Sequence, residues 1–294
     1  MSKSVQQTLR IGIPKGSLAE STIDLFRRAG YLMSVSPRSY FPEVDDESIS
    51  CVMFRAQEMS RYVESGVIDL GLTGHDWICE NDSDVVEVCE LAYSKATSRP
   101  ARWVLAVPNE SKVQRVADLE GGIVATELVG VVKRFFAEQK VKVRVEFSWG
   151  ATEVKARLLD GIVELTETGS SLRANSLREV AEVLRSTTRL IANRAAWADE
   201  RQKLKIENIA LHLRGAIEAR QKVGLKMNVR QADLSKVLDL LPAEKSPTIS
   251  SLADRDFVAV EVVLEERQER ELVPDLRRAG ASGLITYPLN KVIP

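Results

Sequence analysis

The residues best suited to chemistry fall in one run, "IVELTETGSSLRANSL", from Ile162 to Leu177. An alternating apolar and acidic stretch ends at Thr166-Glu167-Thr168-Gly169-Ser170-Ser171, and a helical pattern follows at once. Free N–H groups at a helix start, with the positive end of the helix dipole, attract an anion. Ser170 and Ser171 add hydroxyl donors, and Gly169 lets the backbone approach a bound group closely. A phosphate is the anion that fits. The same residues equally make a turn and a hydroxyl cap for the helix. The loop is no Walker loop, because the Lys-Ser/Thr pair is missing, and the chain has no GxGxxG run.

Basic residues stand near other loops: Lys15 beside Gly16, Arg55 after "CVMF", and Lys95, Arg99 and Arg102 in "YSKATSRPARW". Each alone reads as a solvated charge. Converging on one cleft, they would suit a substrate with many phosphates. Histidine is limited to His75 and His212, which argues against a His-rich metal site. His212 falls in a helical stretch, and His75 sits in "LTGHDW", which reads as a strand-end loop.

These residues need elements to hold them. "LRIGIP", "ISCVMF", "VIDLGLTG", "ARWVLAVP", "GGIVATE", "VKVRVEFSWG" and "IVELTE" read as strands. Helical spacing in "LAESTIDLFRRAGY", "RAQEMSRYVESG", "LVGVVKRFFAEQK", "TEVKARLLDG" and "LRANSLREVAEVLR" falls between or after them. That alternation predicts α/β architecture with largely parallel sheets. A strand in "STTRLIANRAAW" and a long helix after Asp199 lead to a different pattern. From "LKMNV" to "GLITYP" the order is βαββαβ, a ferredoxin-like module, with Pro274 expected in the first turn of its last helix or at a kink. In open α/β sheets ligands collect at strand carboxyl ends. Four such loops stand out: 14–17, 73–76, 148–151 and 166–171.

With 294 residues the chain has room for two or three cores. Lys+Arg 41 against Asp+Glu 42 leaves a net charge of -1, so no global basic field invites nucleic acid. No apolar run reaches the roughly 20 residues that span a bilayer. Without an apolar leader, and with Cys51, Cys79 and Cys89 at unremarkable spacings, the chain is expected to be cytoplasmic with reduced thiols.

The chain resembles the long form of the ATP phosphoribosyltransferases nearly end to end. "LRIGIPKGSL" and "RAQEMSRYVESGVIDLGLTGHDWI" resemble that family's opening segments, and "GATEVKARLLDGIVELTETGSSLRANSL" its phosphoribosyl-binding signature. "SPTISSL" with "LRRAGASGLITYPLNKVI" resembles the regulatory domain found only in the long form. The resemblance implies two α/β lobes like those of a periplasmic binding protein, with the active site between them. Residues 1–103, completed by 185–222, would form the first lobe. Residues 104–184 would form the second, and 224–294 a ferredoxin-like (ACT/PII-like) regulatory domain.

It further implies transfer of the phosphoribosyl group of phosphoribosyl pyrophosphate (PRPP) to N1 of ATP, releasing pyrophosphate, as the first step of histidine biosynthesis. Mg²⁺ is implied as cofactor with its protein ligands unassigned, histidine as feedback inhibitor, and a homo-oligomer (dimer or hexamer). Glu167, Thr168, Gly169, Ser170, Ser171 and Leu172 would hold the 5-phosphate of PRPP. Glu164 would lie near the ribose hydroxyls and, with Glu153, form the catalytic pair. Lys15, Arg55, Asp76, Arg102 and Gly150 would line the ATP and pyrophosphate side. Three features depart from the family pattern. Ser17 replaces a frequent arginine, "TSRPAR" replaces Asp-Phe-Gly-x-Cys-Arg, and Glu127 replaces a frequent hydroxyl residue. The rival from another class is a non-enzymatic sensor whose two lobes close on a small anion; an inactive paralogue is a third reading.

Overall fold

The computed structural model describes residues 8–36, 38–93, 100–242 and 247–293. The chain begins with β1 (Leu9–Lys15), α1 (Ala19–Ala29), β2 (Met33–Ser34) and β3 (Glu43–Val44). β4 (Ile49–Arg55), α2 (Ala56–Glu64), β5 (Leu70–Gly74), α3 (His75–Asn81) and β6 (Val86–Leu91) follow. Next come β7 (Ala101–Pro108), β8 (Ile123–Thr126), α4 (Val129–Glu138), β9 (Arg144–Phe147) and α5 (Thr152–Lys155). β10 (Gly161–Thr166), α6 (Ser170–Ala174), β11 (Leu177–Ser186), β12 (Thr188–Ala192), α7 (Arg194–Ala198) and α8 (Glu200–Glu218) continue the chain. It ends with β13 (Lys222–Arg230), α9 (Leu234–Leu238), β14 (Thr248–Ser251), β15 (Phe257–Glu265), α10 (Glu266–Arg278) and β16 (Ser282–Pro288).

These elements make two units, residues 1–210 and 211–294. The first unit holds two sheets. One has the order β4-β1-β5-β12-β6, with β4, β1 and β5 parallel and β12 antiparallel to both its neighbours. The other has the order β11-β7-β10-β8-β9, with β10, β8 and β9 parallel and β7 antiparallel to β10 and β11. The chain therefore leaves the first lobe after β6, builds the second from β7 to β11, and returns with β12. Ile11, Gly12, Ile13 and Pro14 are buried in succession, as expected of a parallel strand covered on both faces. Gly12 is required for close approach: a Cβ there would lie 2.3 Å from Met59 Sδ, on the helix α2 that covers β1.

Two sequence expectations change here. "LREVAEVLR" is helical in spacing, yet Leu177–Ser186 is a strand paired with β7. The register shifts between Glu179 and Ala181 and again between Glu182 and Leu184. Each shift adds a residue to one side of the ladder, stretching the period of two toward that of a helix. Exposed positions thus fall at Glu179, Glu182 and Arg185, three residues apart. The other change is that "LTGHDW" contains no loop. β5 ends at Gly74 and α3 starts at His75.

The second unit has the βαββαβ order and a four-stranded antiparallel sheet, β14-β15-β13-β16. Leu225, Met227, Val229, Val237, Val260 and Leu276 form its core. Pro274 lies inside α10 rather than in its first turn, because the helix begins earlier, at Glu266. Glu266 and Glu269 occupy that first turn, where the helix dipole favours carboxylates. Among the described residues no helix is long and apolar enough to cross a membrane.

Candidate active site between the two lobes

The carboxyl ends of both sheets face a cavity of about 610 Å³. The first lobe contributes Lys15 to Leu18 from the end of β1, Arg55 to Gln57 from the end of β4, and Asp76 and Trp77 on α3. The second contributes Trp103, Glu127 after β8, and Glu164, Leu165 and Glu167 at the end of β10. Ser186, Thr187 and Thr188 line it where the chain returns between lobes. Lys15, Arg55, Asp76, Glu164 and Glu167 therefore meet in one cleft.

Asp76 is held from the second lobe. Its carboxylate accepts from Trp103 Nε1 at 2.7 Å and from the Ser186 hydroxyl at 2.8 Å. Burial pushes its pKa up, and these hydrogen bonds oppose that push. The rest of α3 is fastened similarly. Glu80 accepts the N–H groups of Gly130 and Val131 at the start of α4, both at 2.9 Å, and Arg134 donates to the Cys79 carbonyl. On the first-lobe side, Asn81 donates to Gln57 O and Ser60 Oγ, both at 2.9 Å.

Around Gly169 the backbone is left-handed, with φ +71°, and no hydroxyl caps α6. The serines are engaged otherwise. Thr168 Oγ1 donates to Ser170 Oγ at 3.0 Å, and Ser171 donates to the Glu153 carboxylate. Gly169 N–H donates to Thr166 Oγ1 at 2.8 Å. The N–H groups of Thr168, Ser170, Ser171 and Leu172 have no acceptor among the described residues. A loop with several unpaired backbone donors can receive an anion.

Glu164 is half-buried beside this loop. Burial raises its pKa, the Thr152 hydroxyl and Leu165 N–H lower it, and the carboxylates of Glu153 and Glu127 raise it further. The pKa of Glu127 is also raised, chiefly by burial, against a hydrogen bond from Gln57 and the charges of Arg55 and Lys155. Lys15 Nζ stands 3.9 Å above the Tyr40 ring centroid and holds that phenol's pKa down.

Other expected residues stand apart. Arg102 is bound by Glu179 and Glu182 on β11 and is not among the cleft-lining residues, although its neighbours Ala101 and Trp103 are. Period two on β7 turns Arg102 away when Trp103 turns in. Gly150, with φ +107°, and Glu153 lie outside the cleft lining, and Glu153 reaches the loop through Ser171. His75 also lies outside it; its Nδ1 is 3.4 Å from Glu87 and its Nε2 3.3 Å from Cys79 Sγ. Lys95 and Arg99 lie outside the described residues. Sequence reasoning missed Trp103, Gln57 and Thr187; the hydroxyl run "STT" at the return crossing was the available signal.

A family model described as ATP phosphoribosyltransferase matches residues 55–215, and one described as HisG, C-terminal domain, matches residues 219–291. The ATP phosphoribosyltransferase of Chlorobaculum parvum is 56% identical over 97% of this chain and 97% of its own. That of Pelodictyon phaeoclathratiforme is 55% identical over 99% of each. Among solved structures, the ATP phosphoribosyl transferase (HisG:HisZ) complex from Thermotoga maritima matches with a TM-score of 0.60 and 25% identity, covering 70% of this chain and 99% of that one. With the signature loop, the cleft and both halves of the chain matched, this protein belongs to the ATP phosphoribosyltransferase family.

Proposed function

We propose that the chain transfers the phosphoribosyl group of PRPP to N1 of ATP, giving N1-(5-phosphoribosyl)-ATP and pyrophosphate, as the first step of histidine biosynthesis. The observation that carries this reading is the set of unpaired N–H groups at Thr168, Ser170, Ser171 and Leu172 beside a cleft lined by Glu164 and Glu167. The 5-phosphate accepts from those N–H groups. The ribose then lies toward Glu164, and Lys15 and Arg55 face the polyphosphate and pyrophosphate side.

Breaking the bond between ribose C1 and pyrophosphate builds positive charge on the ring, as in glycoside cleavage. The ionised Glu164 carboxylate stabilises that charge or holds the ribose hydroxyls. Adenine N1 has a lone pair and no proton, so the attack itself needs no base. The barrier is lowered by aligning two polyanions and by cations at the departing pyrophosphate. Among the described residues no group of three or more His, Cys, Asp or Glu side chains could hold a metal ion. Mg²⁺ typically binds one or two carboxylates, water and phosphate oxygens. It therefore enters here as part of the Mg²⁺–PRPP substrate.

Mixing the protein with ATP, PRPP and Mg²⁺ should release pyrophosphate and change the adenine absorbance. Binding of PRPP without turnover would instead favour a sensor. Residues 1–222 carry catalysis in this reading, in the cytoplasm, and residues 224–294 bind histidine as feedback inhibitor in a homo-oligomer. Histidine should lower the full chain's rate and raise its melting temperature; an unchanged rate and melting temperature would remove the regulatory role.

A further inference from the structure

Two glycines let α2 lie close against its sheet. A Cβ on Gly71, like one on Gly12, would collide with Met59 of that helix, here at 2.9 Å from its Cγ. Thr73 follows Gly71 by two residues on β5, so its side chain meets the same helix. Thr73 is 0% exposed, and its hydroxyl donates to the Ala56 carbonyl at 2.8 Å. The next carbonyl, that of Gln57, accepts from Asn81 Nδ2 at 2.9 Å. Asn81 is the last residue of α3, and the same nitrogen donates to Ser60 Oγ, also at 2.9 Å. Ser60 in turn donates to the Trp77 carbonyl at 3.2 Å, which braces α2 against α3.

These bonds are not needed to satisfy the two carbonyls. Each already accepts the N–H four residues on within α2, and a carbonyl oxygen has two lone pairs. The second donor fixes where the first turn of α2 points. That turn starts directly after Arg55, the last residue of β4, so no loop absorbs a displacement between them. Arg55 is exposed, lines the cleft, and has Lys15 as its register partner on β1. Two cations side by side at adjacent strand ends repel unless an anion lies between them.

We propose that Thr73 and Asn81 are positioning residues, which hold the first turn of α2 so that Arg55 meets the departing pyrophosphate. The proposal rests on the placing of Arg55 at the pyrophosphate side of the site. Thr73 and Asn81 are absent from the cleft lining, whereas Arg55, Ala56 and Gln57 belong to it, so the two donors act through the turn and not by touching substrate. A guanidinium makes two parallel hydrogen bonds to phosphate oxygens, and that fork depends on direction. A small tilt of the backbone that bears it loses part of the fork.

The test is equilibrium binding of inorganic pyrophosphate, with Mg²⁺ present, to the full chain by titration calorimetry, which needs no turnover. Arg55→Ala should weaken binding by about 100-fold, through loss of a charge-assisted pair. Thr73→Val keeps the shape, removes the donor, and should weaken binding by about tenfold. Thr73→Ser should restore it. Asn81→Leu should act as Thr73→Val does, and it carries the test alone if Thr73→Val does not fold. A merely structural role would lower the melting temperature and leave pyrophosphate binding alone. Action through Arg55 predicts that Thr73→Val weakens binding no further once Arg55→Ala is present. Wild-type binding in Arg55→Ala would remove Arg55 from the pyrophosphate side, and the positioning role with it. Weakened binding in Arg55→Ala, with wild-type binding in both Thr73→Val and Asn81→Leu, would overturn the positioning role alone. Full additivity in the double variant would overturn it too.

Discussion

Gly169→Val is expected to raise the KM for PRPP by about 100-fold with the fold retained, from the loss of two or so charge-assisted hydrogen bonds. Neighbouring side chains are not the cause. A Cβ at this position would meet only Arg173 at 2.9 Å, and that flexible group can move aside. The backbone is the cause. Gly169 has φ +71°, and a β-branched residue there costs about 1–3 kcal/mol. Rotation of the following peptide relieves that strain and swings the Ser170 N–H away from the anion. Gly169→Ala, strained less, should fall between. Steady-state kinetics with PRPP varied, and circular dichroism as the check on folding, measure this. A wild-type KM in a folded Gly169→Val protein would take the loop out of the site.

Glu164→Gln should behave in the opposite manner, lowering kcat by about 100-fold or more with KM for PRPP changed little. The amide keeps the shape and one acceptor oxygen but removes the charge opposite the developing ring cation. Such an interaction is stronger in the transition state than in the ground state, so its loss appears in kcat. Because burial and two neighbouring carboxylates raise the Glu164 pKa, the wild-type rate should already fall above the ordinary carboxylate range as pH drops. In Glu164→Gln that fall should disappear. An unchanged kcat would show that the carboxylate faces no developing charge.

The sequence makes the βα alternation legible wherever a strand is buried on both faces or a helix keeps one apolar stripe, as in "LRIGIP" and "RAQEMSRYVESG". It misleads at "LREVAEVLR". There two register shifts give a strand the spacing of a helix, and only pairing with β7 decides between them. At the site, the loop around Gly169 is readable because glycine and hydroxyls mark it locally. The partners of that loop are not. Arg102 carries a suggestive charge, yet Glu179 and Glu182 hold it away from the cleft, because strand alternation decides which side chain turns inward. Trp103 carries no charge, yet it turns inward and holds Asp76. Convergence of this kind depends on tertiary register, which no local pattern encodes.

Helix α3, tied to both lobes, has a consequence for how substrates are received. Swinging the jaws apart on this side would exchange these hydrogen bonds to the Asp76 and Glu80 carboxylates for water, losing about 1.5–3 kcal/mol for each. In the proposed reading these ties hold the gap between nucleotide and sugar, like the throat of a gauge, and little binding energy is diverted into clamping shut.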